Sequence, residues 1–199
     1  RQLHVARDDQ RKHFWKPMIS DHFCRQDEVR GKTLLIVGFG DIGQRVAKLA
    51  KAFGIDVIAI RKSVLSYHKD AKAVFRLKDL HWLLPNVDIV VITCPLTPET
   101  NNLFGRSELE LMKSSAILIN VARGDIVNEE DLIRALKNEK ILGAGIDVTH
   151  EEPLNSNSQL WSLKNLIITP HSAGETRRYE NNVLDLLFKN LDRLKRGDE

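Results

Sequence analysis

Three short segments of this 199-residue sequence carry side chains suited to acid–base and anion-binding work. Asn120-Val121-Ala122-Arg123-Gly124 offers a fixed cation, and Asp147-Val148-Thr149-His150-Glu151-Glu152-Pro153-Leu154 offers carboxylates. Thr169-Pro170-His171-Ser172-Ala173-Gly174 offers a histidine. Arginine stays charged at any working pH, whereas histidine changes charge near neutrality. A carboxylate beside the imidazole orients it and favours its protonated form. The set suits hydride transfer to a 2-keto acid, which needs a cation for the carboxylate and carbonyl and a proton donor for the developing alkoxide. Taken singly, each residue reads more readily as structural: an arginine in a surface pair, a glutamate at a turn, a histidine at a helix start. Three of them on successive strand ends favour catalysis.

A fourth segment, Gly38-Phe39-Gly40-Asp41-Ile42-Gly43, has the G-x-G-x-x-G spacing. Alone this is weak, but it stands between a strand pattern and a helix pattern, the context a dinucleotide site requires. Gly38 serves the tight turn, Gly40 lets backbone approach a pyrophosphate, and Gly43 lets the helix pack close on the strand. The bound anion then meets free N–H groups at the positive end of the helix dipole. The ribose-reading position falls on Arg61, at the end of the next strand. An acid there would bind the ribose hydroxyls, whereas Arg61-Lys62-Ser63 offers two cations and a hydroxyl suited to a 2′-phosphate. The expected cofactor is therefore NADP(H), with NAD(H) the alternative.

The elements that must position these groups alternate along the chain. Residues 1–31 read as a helix and connector, and Lys32–Val37 is a nearly unbroken apolar run, as in a strand buried on both faces. Val46, Ala47, Leu49, Ala50 and Phe53 follow at helical spacing until Gly54. Further strands are predicted at Ile55–Ile60, Val87–Ile92, Ala116–Ile119, Leu142–Asp147 and Leu166–Thr169. Helices are predicted at Asp79–Leu84, Ser107–Met112, Glu129–Asn138 (capped by Asn128) and Glu175–Arg196. The alternation implies an α/β fold: a doubly wound parallel sheet, Rossmann-like, spanning 32–174 within a single domain of residues 1–199. Each apolar run reads as core; the stripe Val183, Leu184, Leu187, Leu191 and Leu194 on the last helix reads as core too, with an exposed interface as the alternative.

Composition narrows the classes further. Apolar residues make up 42% and charged residues 29%, as in ordinary globular domains. With 30 basic against 27 acidic side chains and no block of like charge, no nucleic-acid partner is expected. The two cysteines, Cys24 and Cys94, are too few and too far apart for a disulfide scaffold or a zinc site. No metal is expected, and the chain reads as cytoplasmic. No apolar run reaches membrane-span length, and the start Arg1-Gln2-Leu3-His4 lacks a signal-peptide core, so no membrane association is expected. His150 lies in the turn leading to Glu152 and rivals His171 poorly. His4, His13, His22, His68 and His81 show no partner pattern and read as surface residues.

The glycine loop, Cys94-Pro95-Leu96-Thr97-Pro98-Glu99-Thr100, Asn120–Gly124, Asp147–Leu154 and Thr169–Gly174 together resemble the NAD(P)-binding domain of the D-isomer-specific 2-hydroxyacid dehydrogenases. That family includes glyoxylate/hydroxypyruvate reductases and phosphoglycerate dehydrogenase, and the resemblance runs from about Val29 onward. It implies that Arg123 binds the substrate carboxylate and carbonyl, that His171 is the general acid/base, and that Glu152 is its partner. It implies further that Gly38, Gly40 and Gly43 belong to the cofactor-binding loop and that the backbone of Asp41 and Ile42 meets the pyrophosphate. Arg61, Lys62, Ser63, Cys94, Pro95, Thr100, Val121, Ala122, Arg123, Asp147, His171 and Ala173 would line the cofactor, with Asp147 near the nicotinamide amide. Arg61 departs from the acid common in NAD-dependent members. The substrate would be a small 2-keto or 2-hydroxy acid of D configuration, the partner a second copy bound through this domain. Family members add a substrate domain that these 199 residues lack. The competing reading is a non-catalytic nucleotide-binding module with a redox-sensing or corepressor-like role, for which Arg123, Glu152 and His171 would have no chemical use.

Overall fold

Thr33–Val37 forms the central strand β1, and Leu34 through Val37 are all buried. Successive side chains of a strand point to opposite faces, so this one run serves two cores. Leu34 and Ile36 pack with Phe39, Ala47, Ala50, Val57, Ala59 and Val91. Leu35 and Val37 join the larger core around Leu84, Val90, Phe104, Leu118, Ile126 and Leu136. A strand covered on both faces has no polar position to alternate with, hence its continuous apolar sequence.

The computed structural model describes residues 3–22, 25–63 and 68–197. Its elements are α1 (Leu3–Arg11), β1, α2 (Asp41–Ala52), β2 (Asp56–Ile60), β3 (Ala73–Phe75), α3 (Leu80–Leu83), β4 (Ile89–Ile92) and α4 (Arg106–Leu111). They continue with β5 (Ile117–Asn120), α5 (Glu129–Lys137), β6 (Gly143–Ile146), β7 (Leu166–Ile168) and α6 (Tyr179–Arg196). The seven strands form one sheet in the order β3-β2-β1-β4-β5-β6-β7. Every neighbouring pair is parallel. The chain direction across the sheet reverses between β1 and β4, and the crevice at their carboxyl ends is where such sheets bind ligands.

Most elements fall where periodicity places them, and Asn128 caps α5 by accepting the Asp131 N–H at 3.0 Å. Several expectations are corrected. Three-residue β3 is too short to show a period and was not anticipated. Asp79–Leu84 resolves into α3 flanked by 3₁₀ turns at Leu77–Asp79 and Leu84–Asn86. The last helix begins at Tyr179, because residues 175–178 are spent on turns. Its apolar stripe is not core: Val183, Leu184, Leu187, Leu191 and Leu194 are all exposed, and no residue of α6 is buried. The helix leaves the sheet after β7, so neither core includes any of its side chains. On α2, Gly43, Ala47 and Ala50 face the sheet, while Leu49 and Phe53 lie off that stripe and are exposed. His81 Nε2 bonds Glu108 Oε1 at 2.6 Å, and His68 packs edge-on to Phe39 with ring centres 4.7 Å apart, so both have partners that local sequence did not reveal. Arg1, Gln2 and Cys24 lie outside the described residues. No described helix is long and apolar enough to cross a membrane. Trp15, Trp82 and Trp161 are 92%, 67% and 56% exposed.

Gly43 shows how tightly α2 sits on the sheet. A Cβ there would lie 2.3 Å from the Gly38 carbonyl oxygen and 3.0 Å from Thr93 Oγ1. Helix propensity favours Gly→Ala by about 1 kcal/mol, but overpacking against backbone costs roughly 1–3 kcal/mol. Sterics should win: Gly43→Ala is expected to lower stability by about 1–2 kcal/mol, read by denaturant unfolding followed by far-ultraviolet circular dichroism.

Candidate active site

The glycine loop joins β1 to α2 at the switch point. Gly38 has φ +100°, and a Cβ on it would lie 2.4 Å from the Cys94 nitrogen, so both conformation and close approach require glycine. Its N–H donates to the Ile60 carbonyl at 3.0 Å and its carbonyl accepts from Thr93 Oγ1 at 2.6 Å, tying the loop to the strands on both sides. Gly40 differs. It caps α2 with φ −88°, open to any residue, and a Cβ there would meet nothing within 4 Å. Neither backbone strain nor protein packing demands a glycine at this position. The N-cap has no side chain to satisfy the helix start, and the N–H groups of Asp41, Ile42 and Gly43 have no carbonyl one turn back to bond. A smooth, uncapped, electropositive helix start fits a pyrophosphate.

The flanking turns complete the crevice. Arg61 is half-buried at the end of β2, followed by exposed Lys62 and Ser63, and none of the three side chains has a partner among the described residues. Cys94 is buried beneath Gly38, and burial pushes its thiol up to about 11, so it serves as an uncharged wall. Pro95 is exposed, and its carbonyl accepts from Thr100 Oγ1 at 2.7 Å. The Thr100 hydroxyl also accepts the Thr97 N–H at 2.8 Å, so it shapes the 94–100 turn from inside.

The structure brings Arg123, Glu152 and His171 together. His171 Nδ1 lies 2.7 Å from Glu152 Oε2, while Oε1 of the same carboxylate accepts the Thr149 N–H at 3.1 Å. The bond from His171 leads in lowering the Glu152 pKa, against a smaller opposing push from burial, with the charges of His171 and Arg123 adding to the lowering. Glu152 is therefore charged at neutral pH and binds Nδ1–H, leaving Nε2 free of this bond. Arg123 is exposed, and its Nη1 donates to the Ala122 carbonyl at 2.6 Å. Asn120, whose role the sequence did not signal, closes this turn: its Oδ1 accepts the Ala122 N–H at 3.0 Å and its Nδ2 donates to the Arg123 carbonyl at 2.9 Å. Ala122 is buried by that turn, whereas Val121 faces the cleft.

Asp147 is buried, and its carboxylate accepts the Thr169 hydroxyl and, at 3.0 Å each, the N–H groups of Ser172 and Ala173. Burial pushes its pKa up, but the hydrogen bonds from Thr169, Ala173 and Ser172, with the nearby His171, outweigh that and leave it lowered. Its oxygens thus hold the loop that presents His171. That residue has φ +52°, a left-handed conformation uncommon for histidine. A cleft of about 1030 Å³ opens here, lined by Ile42, Val121, Asp147, His171, Ala173 and Gly174 and by the 175–180 segment including Thr176, Arg177 and Tyr179. It links the helix start of the glycine loop to the histidine. The 175–180 wall was not anticipated, since nothing in its composition marks it.

Comparison with known proteins agrees with this fold. The family described as D-isomer specific 2-hydroxyacid dehydrogenase, NAD binding domain, matches residues 1–173. A glyoxylate reductase of Thermococcus gammatolerans is 44% identical over 185 residues, covering 92% of this chain and 53% of that protein. A D-3-phosphoglycerate dehydrogenase of Methanocaldococcus jannaschii is 36% identical over 171 residues, covering 86% of this chain and 32% of that one. The chain thus spans about half the length, or less, of these curated relatives. Among solved structures, a D-isomer specific 2-hydroxyacid dehydrogenase family protein from Aeromonas salmonicida superposes with a TM-score of 0.85 at 35% identity, over 100% of this chain and 61% of that one. A probable 2-hydroxyacid dehydrogenase from Rhizobium etli, solved with NADP, gives 0.85 at 27% identity, with the same coverage of 100% and 61%. With its glycine loop, switch-point crevice and Arg–Glu–His cluster in the family's sheet, the chain belongs to the NAD-binding domains of the D-isomer specific 2-hydroxyacid dehydrogenases.

Proposed function

We propose that this chain is the cofactor-binding part of an NAD(P)-dependent oxidoreductase that interconverts small 2-keto acids and D-2-hydroxy acids. The observation that carries the proposal is the 2.7 Å bond between Glu152 and His171 at the rim of the cleft, with Arg123 close enough to act on the same carboxylate. A module that only bound nucleotide would have no chemical use for this arrangement. The relatives named glyoxylate reductase support the substrate class.

When bound, the nicotinamide cofactor supplies a hydride to C2 of the keto acid. The chain's own residues do the rest. Arg123 holds the substrate carboxylate and polarises the carbonyl. His171 gives the proton on Nε2 to the carbonyl oxygen as negative charge develops there. Glu152 keeps the ring in the productive orientation through Nδ1 and stabilises its charged form before transfer. In the oxidative direction the same histidine takes the hydroxyl proton.

Arg61, Lys62 and Ser63 support NADP(H) over NAD(H), because they offer two cations and a hydroxyl, groups suited to a 2′-phosphate, and these side chains have no partner among the described residues. The Rhizobium etli structure, solved with NADP, is consistent with that choice. The same reading pairs two copies through α1 and the following connector, whose Leu3, Phe14, Trp15 and Met18 are exposed. The free, buried thiol of Cys94 suits a reducing, cytoplasmic setting.

In the gene's full product, His171→Ala is expected to lower kcat roughly 100-fold or more, far beyond its effect on cofactor affinity. Near-normal turnover in a steady-state assay with glyoxylate and hydroxypyruvate would sink the catalytic assignment. Arg61→Glu is expected to weaken NADPH binding roughly 10- to 100-fold and to improve NADH binding. Fluorescence titration of both cofactors checks this, and an unchanged ratio would remove Arg61 from the specificity site. Trp15→Glu is expected to shift a dimer toward monomer in sedimentation equilibrium, and an unaltered mass would place the interface elsewhere.

A further inference from the structure

The turn carrying Arg123 and the turn carrying Glu152 are in direct backbone contact. A Cβ on Gly124 would lie 2.0 Å from the Thr149 carbonyl oxygen and 2.5 Å from the His150 nitrogen. His150 reinforces the contact from its own side. Its Nδ1 is hydrogen-bonded to Asp125, two residues past Arg123, and its backbone N–H reaches Glu129 Oε2, in the first turn of α5, at 3.4 Å. Thr149, the residue before it, supplies the N–H that holds Glu152 Oε1 at 3.1 Å. His150 is thus bonded across to the arginine turn while its chain neighbour is bonded to the carboxylate that orients His171.

We propose that His150 is a positioning residue, whose bond to Asp125 staples the turn bearing Arg123 to the turn bearing Glu152 and so sets where the Arg123 guanidinium lies relative to the Glu152–His171 pair. The proposal rests on the catalytic reading of those three residues. It gives His150 a part that neither touches substrate nor duplicates His171. The charged groups facing its ring are Asp125 from the turn after β5, Glu129 from α5, and Glu151 from its own turn. The hydrogen bond to Asp125, followed by the charge of Asp125 and, against slight desolvation, those of Glu129 and Glu151, raises the imidazole pKa above its ordinary 6.5. The sign follows directly. The charged staple is complete below pH 6.5 and is lost as pH rises through the raised native value. The ring is exposed and the pair is a surface one, so its effect on global stability is small. Misplacement of a reacting group is felt far more strongly in rate than in folding.

The test uses His150→Gln, Asp125→Asn and the double variant. In the gene's full product, each single variant is expected to lower kcat about fivefold, with cofactor KM unchanged. The double variant is expected to be no worse than either single one. The alkaline side of the kcat profile is expected to lose one ionisation in both single variants. In the 199-residue chain itself, the imidazole NMR titration of His171 is expected to shift in His150→Gln. Unchanged kcat together with an unmoved His171 titration overturns the proposal, and so does simple additivity of the two substitutions. If His171→Ala keeps its turnover while His150→Gln still moves the His171 titration, the catalytic reading fails and the staple stands.

Discussion

The site depends on one buried carboxylate. Removing a charge from water is costly unless hydrogen bonds replace the lost hydration. Asp147 has those bonds from the Thr169 hydroxyl and from the Ser172 and Ala173 N–H groups, all in the loop that presents His171. The backbone of Asp147 adds more: its N–H donates to the Asn120 carbonyl at 2.9 Å, and its own carbonyl accepts the His171 N–H at 2.8 Å. The end of β5, the end of β6 and the histidine loop are therefore fastened to one residue. A left-handed histidine costs of order 1 kcal/mol or more, and this over-determined loop is what keeps His171 in that conformation. The strain sits at the residue whose imidazole is bonded to Glu152.

The rest of the architecture supplies places for such fastenings. In a parallel sheet every strand delivers its carboxyl end to the same edge, so chemistry from distant parts of the sequence meets there without long loops. Gly38, Cys94, Arg123, Glu152 and His171 each follow a different strand, and each reaches that edge within a few residues of its strand's end. Two close backbone approaches set the spacing between the turns: Gly38 on Cys94 and Gly124 on Thr149. The first shapes the end of the crevice at the glycine loop and the second the end at Arg123 and Glu152.

Legibility in the sequence followed the same physics. A strand buried on both faces must be apolar throughout, so β1 and β4 were plain, and the glycine loop between β1 and α2 took its meaning from that context. Arg123, Glu152 and His171 could be ranked as a set because each followed a strand signal. What the pattern could not disclose was how polar atoms are shared. Glu152 divides its two oxygens between His171 and Thr149, and the Thr100 hydroxyl is spent on its own turn. Asp147, expected beside the nicotinamide, also clamps the histidine loop, which only its hydrogen bonds reveal. The apolar stripe of α6 looked like core because amphipathic periodicity reports a face and not what covers it.

The placement of the indoles has a practical consequence. The sequence has three tryptophans, and Trp15, Trp82 and Trp161 all stand largely in solvent rather than in either core. In a single copy of the chain, losing the core changes the surroundings of these indoles little. Intrinsic fluorescence is thus a poor reporter of unfolding for this chain.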